Sequence, residues 1–444
     1  MHSLFRAACF CLVLATQPLF PGRADAQEKW PPIAGAAEHN LARVAKHPPV
    51  AKALEGIKAD SVRMFEEQVR LNEIPAPPFR EQTRAEYYLK KLREAGLRDA
   101  RIDTEGNVIG VRRGTGRGPR VVISAHLDTV FPEGTDVKVR EKAGRFYAPG
   151  ISDDAAGLAS LLTMVEHLTK SGLRTVGDII VVGTVGEEEL GDLRGVKALF
   201  RDDKDIDGFI SLDGVGFGRI VNHATGSHRF SVEFKGPGGH SFAAFGLPSA
   251  IHAMGRAIAK IGELKPPADP KTTFTVGTVR GGTSVNAIAG DATMAIDIRS
   301  NSQEELLNFE EKVVAAIREA VEEENRRWGS KAISADIKLI GDRPAGLTPI
   351  DSPIVHTARA ALRTVGADTR AITAASTDSN LPMSLGIPAI TLSSAGQGGG
   401  SHSLGEWYTP TNNWLGPQLA LLVSLGLAGV EGLTEPLLEK RTKK

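Results

Sequence analysis

The stretch 179-IIVVGTVGEEEL-190 decides how this chain is read. An apolar run rich in Ile and Val has the character of a buried strand. It ends in Glu187, Glu188 and Glu189. Adjacent carboxylates repel one another, and burying any of them without a partner is costly. Either the triplet is a solvated turn, or something cationic waits at the tip of the strand.

Working outward, "VVIS" (121–124), "GFISLD" (208–213) and "PAITLS" (388–393) are strand candidates of the same kind. Between the first of these and the glutamates, "AAGLASLLTMVEHLTK" has helical spacing, and so does most of 61–97 on either side of "EIPAPPF". Such alternation predicts an α/β domain with a mostly parallel sheet covered on both faces. Near Thr225 the texture changes. "HRFSVEFKG", a helix, "TFTVGTVRGG", "DATMAIDIRS", a long helix and "ISADIKLI" follow in βαββαβ order. That order predicts an inserted ferredoxin-like α+β domain over 227–342, with the α/β domain divided into 27–226 and 343–444. "GQGGGS" (396–401) reads as a flexible loop.

Lys+Arg and Asp+Glu are equal at 53 each, which leaves no net field to recruit nucleic acid or anionic lipid. Residues 1–26 read as a cleavable signal peptide: Arg6, an apolar "AACFCLVLA" and an "ADA" cleavage signal before Gln27. The expectation is a periplasmic or secreted protein. Both cysteines, Cys9 and Cys11, lie inside that segment, so the mature chain would have no thiol for catalysis or metal binding. "LALLVSLGLAGV" (419–430) is too short to span a bilayer and reads as a packed helix.

In open parallel sheets, ligands bind beyond the carboxyl ends of the strands. The residues there are His126 and Asp128, then Glu187 to Glu189, Asp213, and, past the Gly-rich loop, His402 and Glu406. Asp153 and Asp154 precede the intervening helix. Each has a bland reading alone: a satisfied buried histidine, a helix N-cap, a solvated turn. Together they suit two divalent cations held by imidazole and carboxylate, one carboxylate bridging. One glutamate of the triplet would bind metal, and a neighbour would carry protons.

The motifs "SAHLDTV", "GISDDAAG", "TVGEEELG", "SLDG", "GPGGHS", "GGTSVNAIA", "DIR" and "GGGSHSLGE" occur in an order that resembles the di-zinc metallopeptidases. That family includes peptidase T, glutamate carboxypeptidase, acetylornithine deacetylase and aminoacylase. The resemblance spans nearly the whole mature chain. It implies His126 and Asp213 on one zinc, Glu188 and His402 on the other, and Asp153 between them, with Co²⁺ or Mn²⁺ as possible substitutes. It makes Asp128 the partner that orients His126, and Glu187 the general base and acid acting with a two-zinc-activated hydroxide. The Asp153–Asp154 peptide is typically cis in this family. In the inserted lid and dimerisation domain, His240 resembles an oxyanion stabiliser, often given across a dimer interface. Asn286 and Arg299 resemble substrate-holding residues. His240 could instead cap a turn, and Arg299 could pair within its own sheet. Two departures stand out: Ala155 replaces the usual lysine of "DDK", and the triplet also permits Glu188 as base with Glu189 as ligand. Spacing from Thr184, compared with the "TPDEE" of peptidase T, favours Glu187. The expected activity is that of a homodimeric exopeptidase on di- and tripeptides, an inference from aspartate at 213. The alternatives are an N-acyl amino acid amidohydrolase or a carboxypeptidase of the same family.

Overall fold

A computed structural model describes residues 30–442; the leader expected over 1–26 lies outside the described residues. Four parallel strands form the centre of a nine-stranded sheet. They are β1 (Arg120–His126), β2 (Asp178–Thr184), β3 (Gly208–Leu212) and β4 (Ala389–Leu392), lying side by side in the order β2-β1-β3-β4. Val108–Arg112 pairs antiparallel on the β2 side, and Arg219–Ala224 antiparallel on the β4 side.

Alternate residues of these strands enter different cores, as the pleat requires. Val121, Ile123, Ile179, Val181, Ile210 and Ile390 join the core built with the helices Ala155–Lys170, Pro353–Thr364 and Leu415–Ala428. Val122, Ile180, Val182 and Phe209 join the opposite core with Val196, Leu199 and Phe200 of the helix Arg194–Asp202. Burial on both faces explains why the runs are continuously apolar rather than alternating. The chain passes from β1 to β2 on one side and then crosses to β3 on the other. Order therefore reverses between β1 and β3, where a crevice must open at the carboxyl ends.

Between Gly226 and Arg343 the chain builds a second sheet with its own core. Its strands are Gly226–Lys235, Thr272–Gly281, Asp291–Ser300 and Ser334–Arg343, all paired antiparallel, with Gly226–Lys235 and Asp291–Ser300 in the centre. The helices Ala250–Glu263 and Gln303–Arg327 bury Ala253, Ala257, Phe309 and Val313 against Phe230, Val232, Met294 and Ile296. This is the ferredoxin-like βαββαβ arrangement. Among the described residues no helix is long and apolar enough to cross a membrane.

One expectation is corrected. The Gly-rich stretch at 396–401 is not simply a flexible loop, because Gln397–Gly399 is a strand paired with Trp407–Thr409. That ladder continues through Arg145–Tyr147 to Arg140–Lys142. A Cβ on Gly398 would meet a Val215 methyl at 2.8 Å and the Trp407 carbonyl at 2.9 Å. Glycine here permits close approach of backbone rather than mobility.

Because the lid and the parallel sheet have separate cores, they should respond separately to damage. Phe309→Ala should cost the lid about 3–5 kcal/mol. Hydrogen exchange should then accelerate across 226–343 while β1 stays protected. Equal acceleration in both regions would show one cooperative core.

Candidate metal centre

His126 is the last residue of β1 and is buried. Its Nδ1 lies 3.0 Å from the Asp128 carbonyl oxygen, which fixes Nδ1 as the protonated nitrogen, and its Nε2 lies 3.0 Å from Asp153 Oδ1. The other oxygen of Asp153 lies 3.3 Å from His402 Nε2, which in turn is 3.0 Å from Glu188 Oε1. Asp153 thus stands between two donor sets. His126, Asp153 and Asp213 offer ligand atoms within 4.8 Å of one another, and so do Asp153, Glu188 and His402.

The two neighbouring aspartates divide the work. The Asp153–Asp154 peptide is cis. Asp154 caps the following helix, accepting from Gly157 N at 3.0 Å, and its second oxygen accepts from His126 N at 3.1 Å. Asp153 is left to face the crevice. Ala155, where a lysine was expected, is the buried first residue of that helix.

Asp128 does more than orient His126. Its carboxylate accepts from the backbone N–H groups of Glu187 (3.1 Å) and Glu188 (2.8 Å), while its nearer oxygen is 3.7 Å from His126 Nδ1. The histidine is therefore aligned chiefly by the Asp128 carbonyl, and the carboxylate secures the turn that presents both glutamates. Glu187 and Glu188 are buried whereas Glu189 is exposed. Glu188 lies with Asp153 and His402, and Glu187 and Glu188 also offer ligand atoms to one group with His126.

The electrostatics are those of acids crowded together. Burial, and then the neighbouring Asp153, push the Asp213 carboxyl up to about 7. Burial also pushes Glu187 well above its usual range, opposed by the Arg343 guanidinium. Hydrogen bonds to Asp153 and Glu188 carry His402 up to about 11. Burial opposes ionisation of Asp153, but the hydrogen bonds of His126 and His402 outweigh it and hold its carboxyl well below normal. The imidazolium form of His402 is favoured because the site wants positive charge. The donor set, two imidazoles and three carboxylates without a thiol, fits a pair of zinc ions or similar divalent cations.

Three residues that sequence reasoning left without a role support this cluster. Glu406, fully buried, accepts from Gly150 N (2.8 Å), Ser152 N (2.7 Å), Ser152 Oγ (2.6 Å) and Asp153 N (3.0 Å). It ties the His402 loop to the backbone of Asp153. Arg84, also fully buried, donates to the carbonyls of Leu127 (2.7 Å), Ile74 (2.9 Å) and Asn72 (3.2 Å). Burial lowers it to about 10, and the charges of Asp128 and Asp154 help to keep it protonated. The available signal was its place on a helix face with Tyr88 and Leu92, where an arginine is out of character. Arg343 is the third and is treated below.

A model of peptidase family M20/M25/M40 matches residues 122–425. The chain belongs to this family. As an M20 protein it is a metal-dependent hydrolase. It is similar to YqjE of Bacillus subtilis, 26% identical over 347 residues, covering 74% of this chain and 89% of that protein. The solved aminopeptidase PepT of Bacillus cereus shares its fold, with 24% identity, a TM-score of 0.65, and coverage of 82% of this chain and 97% of that one. A tripeptidase of Staphylococcus aureus does so at 22% identity and a TM-score of 0.68, with the same coverage.

The residues expected from the lid are not brought to this cluster within one chain. His240 is exposed in the short strand Gly239–His240, which pairs with Ala287–Ile288, and its Nδ1 accepts from Phe242 N (3.2 Å) and Ala243 N (3.3 Å) of the turn that follows. Asn286 accepts from Ser284 Oγ at 2.6 Å, and Arg299 pairs with Asp297 of its own strand at 2.7 Å. The bland roles, a turn cap and an in-sheet ion pair, are those these side chains occupy here.

Replacing Glu406 by Gln keeps its volume but removes the charge that four donors converge on. Metal affinity should fall about 10–100-fold, measured by competition with a chromophoric chelator. Unchanged affinity would deny Glu406 its role in holding Asp153.

Proposed function

We propose that this protein is a co-catalytic two-metal exopeptidase acting on di- and tripeptides. The observation that carries the reading is the position of Asp153, its two carboxylate oxygens 3.0 Å and 3.3 Å from imidazoles belonging to different donor sets. His126 and Asp213 would hold one cation, Glu188 and His402 the other, and Asp153 both. Zinc is our choice of metal, with cobalt or manganese able to substitute. When bound, the cations supply an acidified water and positive charge at the substrate carbonyl.

Glu187 is the proton carrier. It lies next to the ligand Glu188, and its buried carboxyl is pushed up by desolvation, so it can take a proton and release it to the departing amine. His240 is the oxyanion donor. With Nδ1 accepting two backbone N–H groups, the ring carries its proton on Nε2, the form needed to donate to an oxyanion. Asn286 adjoins it, since its carbonyl accepts from Ser241 N at 2.9 Å. Together with Arg299 it would hold the substrate's carbonyl and carboxylate groups.

The lid also suits a homodimer that would deliver His240 to a second subunit. Phe242 and Phe245 on the His240 turn are 88% and 80% exposed, and Val285, beside Asn286, is fully exposed. Exposed apolar side chains of this kind are what a partner copy would cover. The aminopeptidase and tripeptidase likeness supports short peptides as substrates. The leader supports export, with Gln27 as the mature N-terminus.

Glu187→Gln should lower kcat by at least about a thousandfold while two metals stay bound, an effect in the range of lost general catalysis plus misplaced charge. Chelation should abolish activity on short peptides, and zinc should restore it. Faster hydrolysis of an N-acetylated tripeptide than of the free tripeptide would replace the exopeptidase reading with the amidohydrolase one.

A further inference from the structure

The loop that carries Glu187 and Glu188 is held from two sides. On the sheet side Asp128 accepts from both backbone N–H groups. On the other side the partners belong to the lid. Arg343, the last residue of the lid strand Ser334–Arg343, is buried and pairs with Ser227 of the first lid strand. Its Nη1 lies 3.2 Å from Glu187 Oε1 and 3.3 Å from Ser376 Oγ, and its Nη2 donates to the Glu187 carbonyl. Four further bonds follow the same seam. Arg229 of the first lid strand donates to the Glu189 carbonyl. Asp342 N donates to Asp192 Oδ1 at 2.6 Å. Lys197 joins Asp192 (2.6 Å) to the Asp342 carbonyl (2.8 Å).

A glutamate side chain has three rotatable bonds, and a base is useful only when its oxygen is held in place. A guanidinium reaching both the carboxylate and the carbonyl of one residue fixes that side chain at two points, which an ammonium cannot reproduce. It engages Oε1 and leaves Oε2 for the proton. We propose that Arg343 is a positioning residue for Glu187, and that through it and the neighbouring bonds the lid sets the placement of the base. The proposal rests on Glu187 being that base.

The test is a double-mutant cycle between Arg343 and Glu187, with metal content and hydrogen exchange followed in each variant. Arg343→Met should lower kcat about a hundredfold, with KM changed less than about threefold and two metals retained. In the Glu187→Gln background the same change should cost less than about threefold more, because the side chain it positions is no longer a base. Exchange of the segment 186–193 should rise about tenfold in Arg343→Met, as expected when a local closing contact is lost. Should that variant fail to fold, Arg343→Lys, which keeps the charge and loses the fork, enters the same cycle. Equal losses in both backgrounds, or an unchanged kcat, overturn the proposal. If the wild-type protein with two metals cleaves no peptide, the peptidase reading fails instead. The clamp is then judged on exchange alone, and unchanged exchange overturns it.

Discussion

Carboxylates at the tips of parallel strands cannot crowd together in a buried crevice unless positive charge lies among them. Asp153, Glu187, Glu188 and Asp213 gather in one such crevice, with Asp128 and Asp154 behind them holding backbone N–H groups. Arg84 and Arg343 are the buried guanidinium cations beside it, yet burial still drives Asp213 and Glu187 toward their neutral forms. Divalent metal, on which the family depends, would complete the balance, and the architecture is one that presents candidate ligands to it. Chain order reverses between β1 and β3, so His126 and Asp213 extend from adjacent strand ends into the same gap.

Around these ligands lies a layer of groups whose work is to hold backbone. Asp154 secures the helix that follows Asp153 and also the N–H of His126. Asp128 holds the glutamate turn, and Glu406 holds the Asp153 turn. Each accepts charge-assisted hydrogen bonds from N–H groups, which are stronger than neutral ones and fix geometry as well as energy. Such outer partners commonly matter for affinity nearly as much as the ligands do. The lid adds a further constraint through Arg343, so the glutamate turn is shared between the two parts of the molecule rather than belonging to the sheet alone.

The sheet was legible because burial on both faces leaves unbroken apolar runs. β1 to β4 coincide with the runs at 121–124, 178–185, 208–213 and 388–393. The candidate ligands were legible as a cluster because imidazoles and carboxylates are out of place just beyond such runs, and three groups of them do come together. Glycine proved a poor guide at 397–399, where its compactness serves close strand contact. Glu406 lay in a recognised motif, but its role depends on four donors from residues 150–153, far away in sequence. Arg343 was invisible for the same reason, since it reaches Glu187 across the junction of sheet and lid. The lid residues His240, Asn286 and Arg299 mark another boundary. Their motifs are local, and within one chain these side chains make local contacts of their own.

Everything in this account depends on a pair of cations bridged by Asp153. Anomalous diffraction from metal-replete crystals, recorded either side of the zinc edge, tests that most directly. Two peaks about 3.5–4 Å apart are expected, one against His126 and Asp213, the other against Glu188 and His402, with Asp153 touching both. A single ion, or no ion between those side chains in protein shown to be metal-replete, would contradict it.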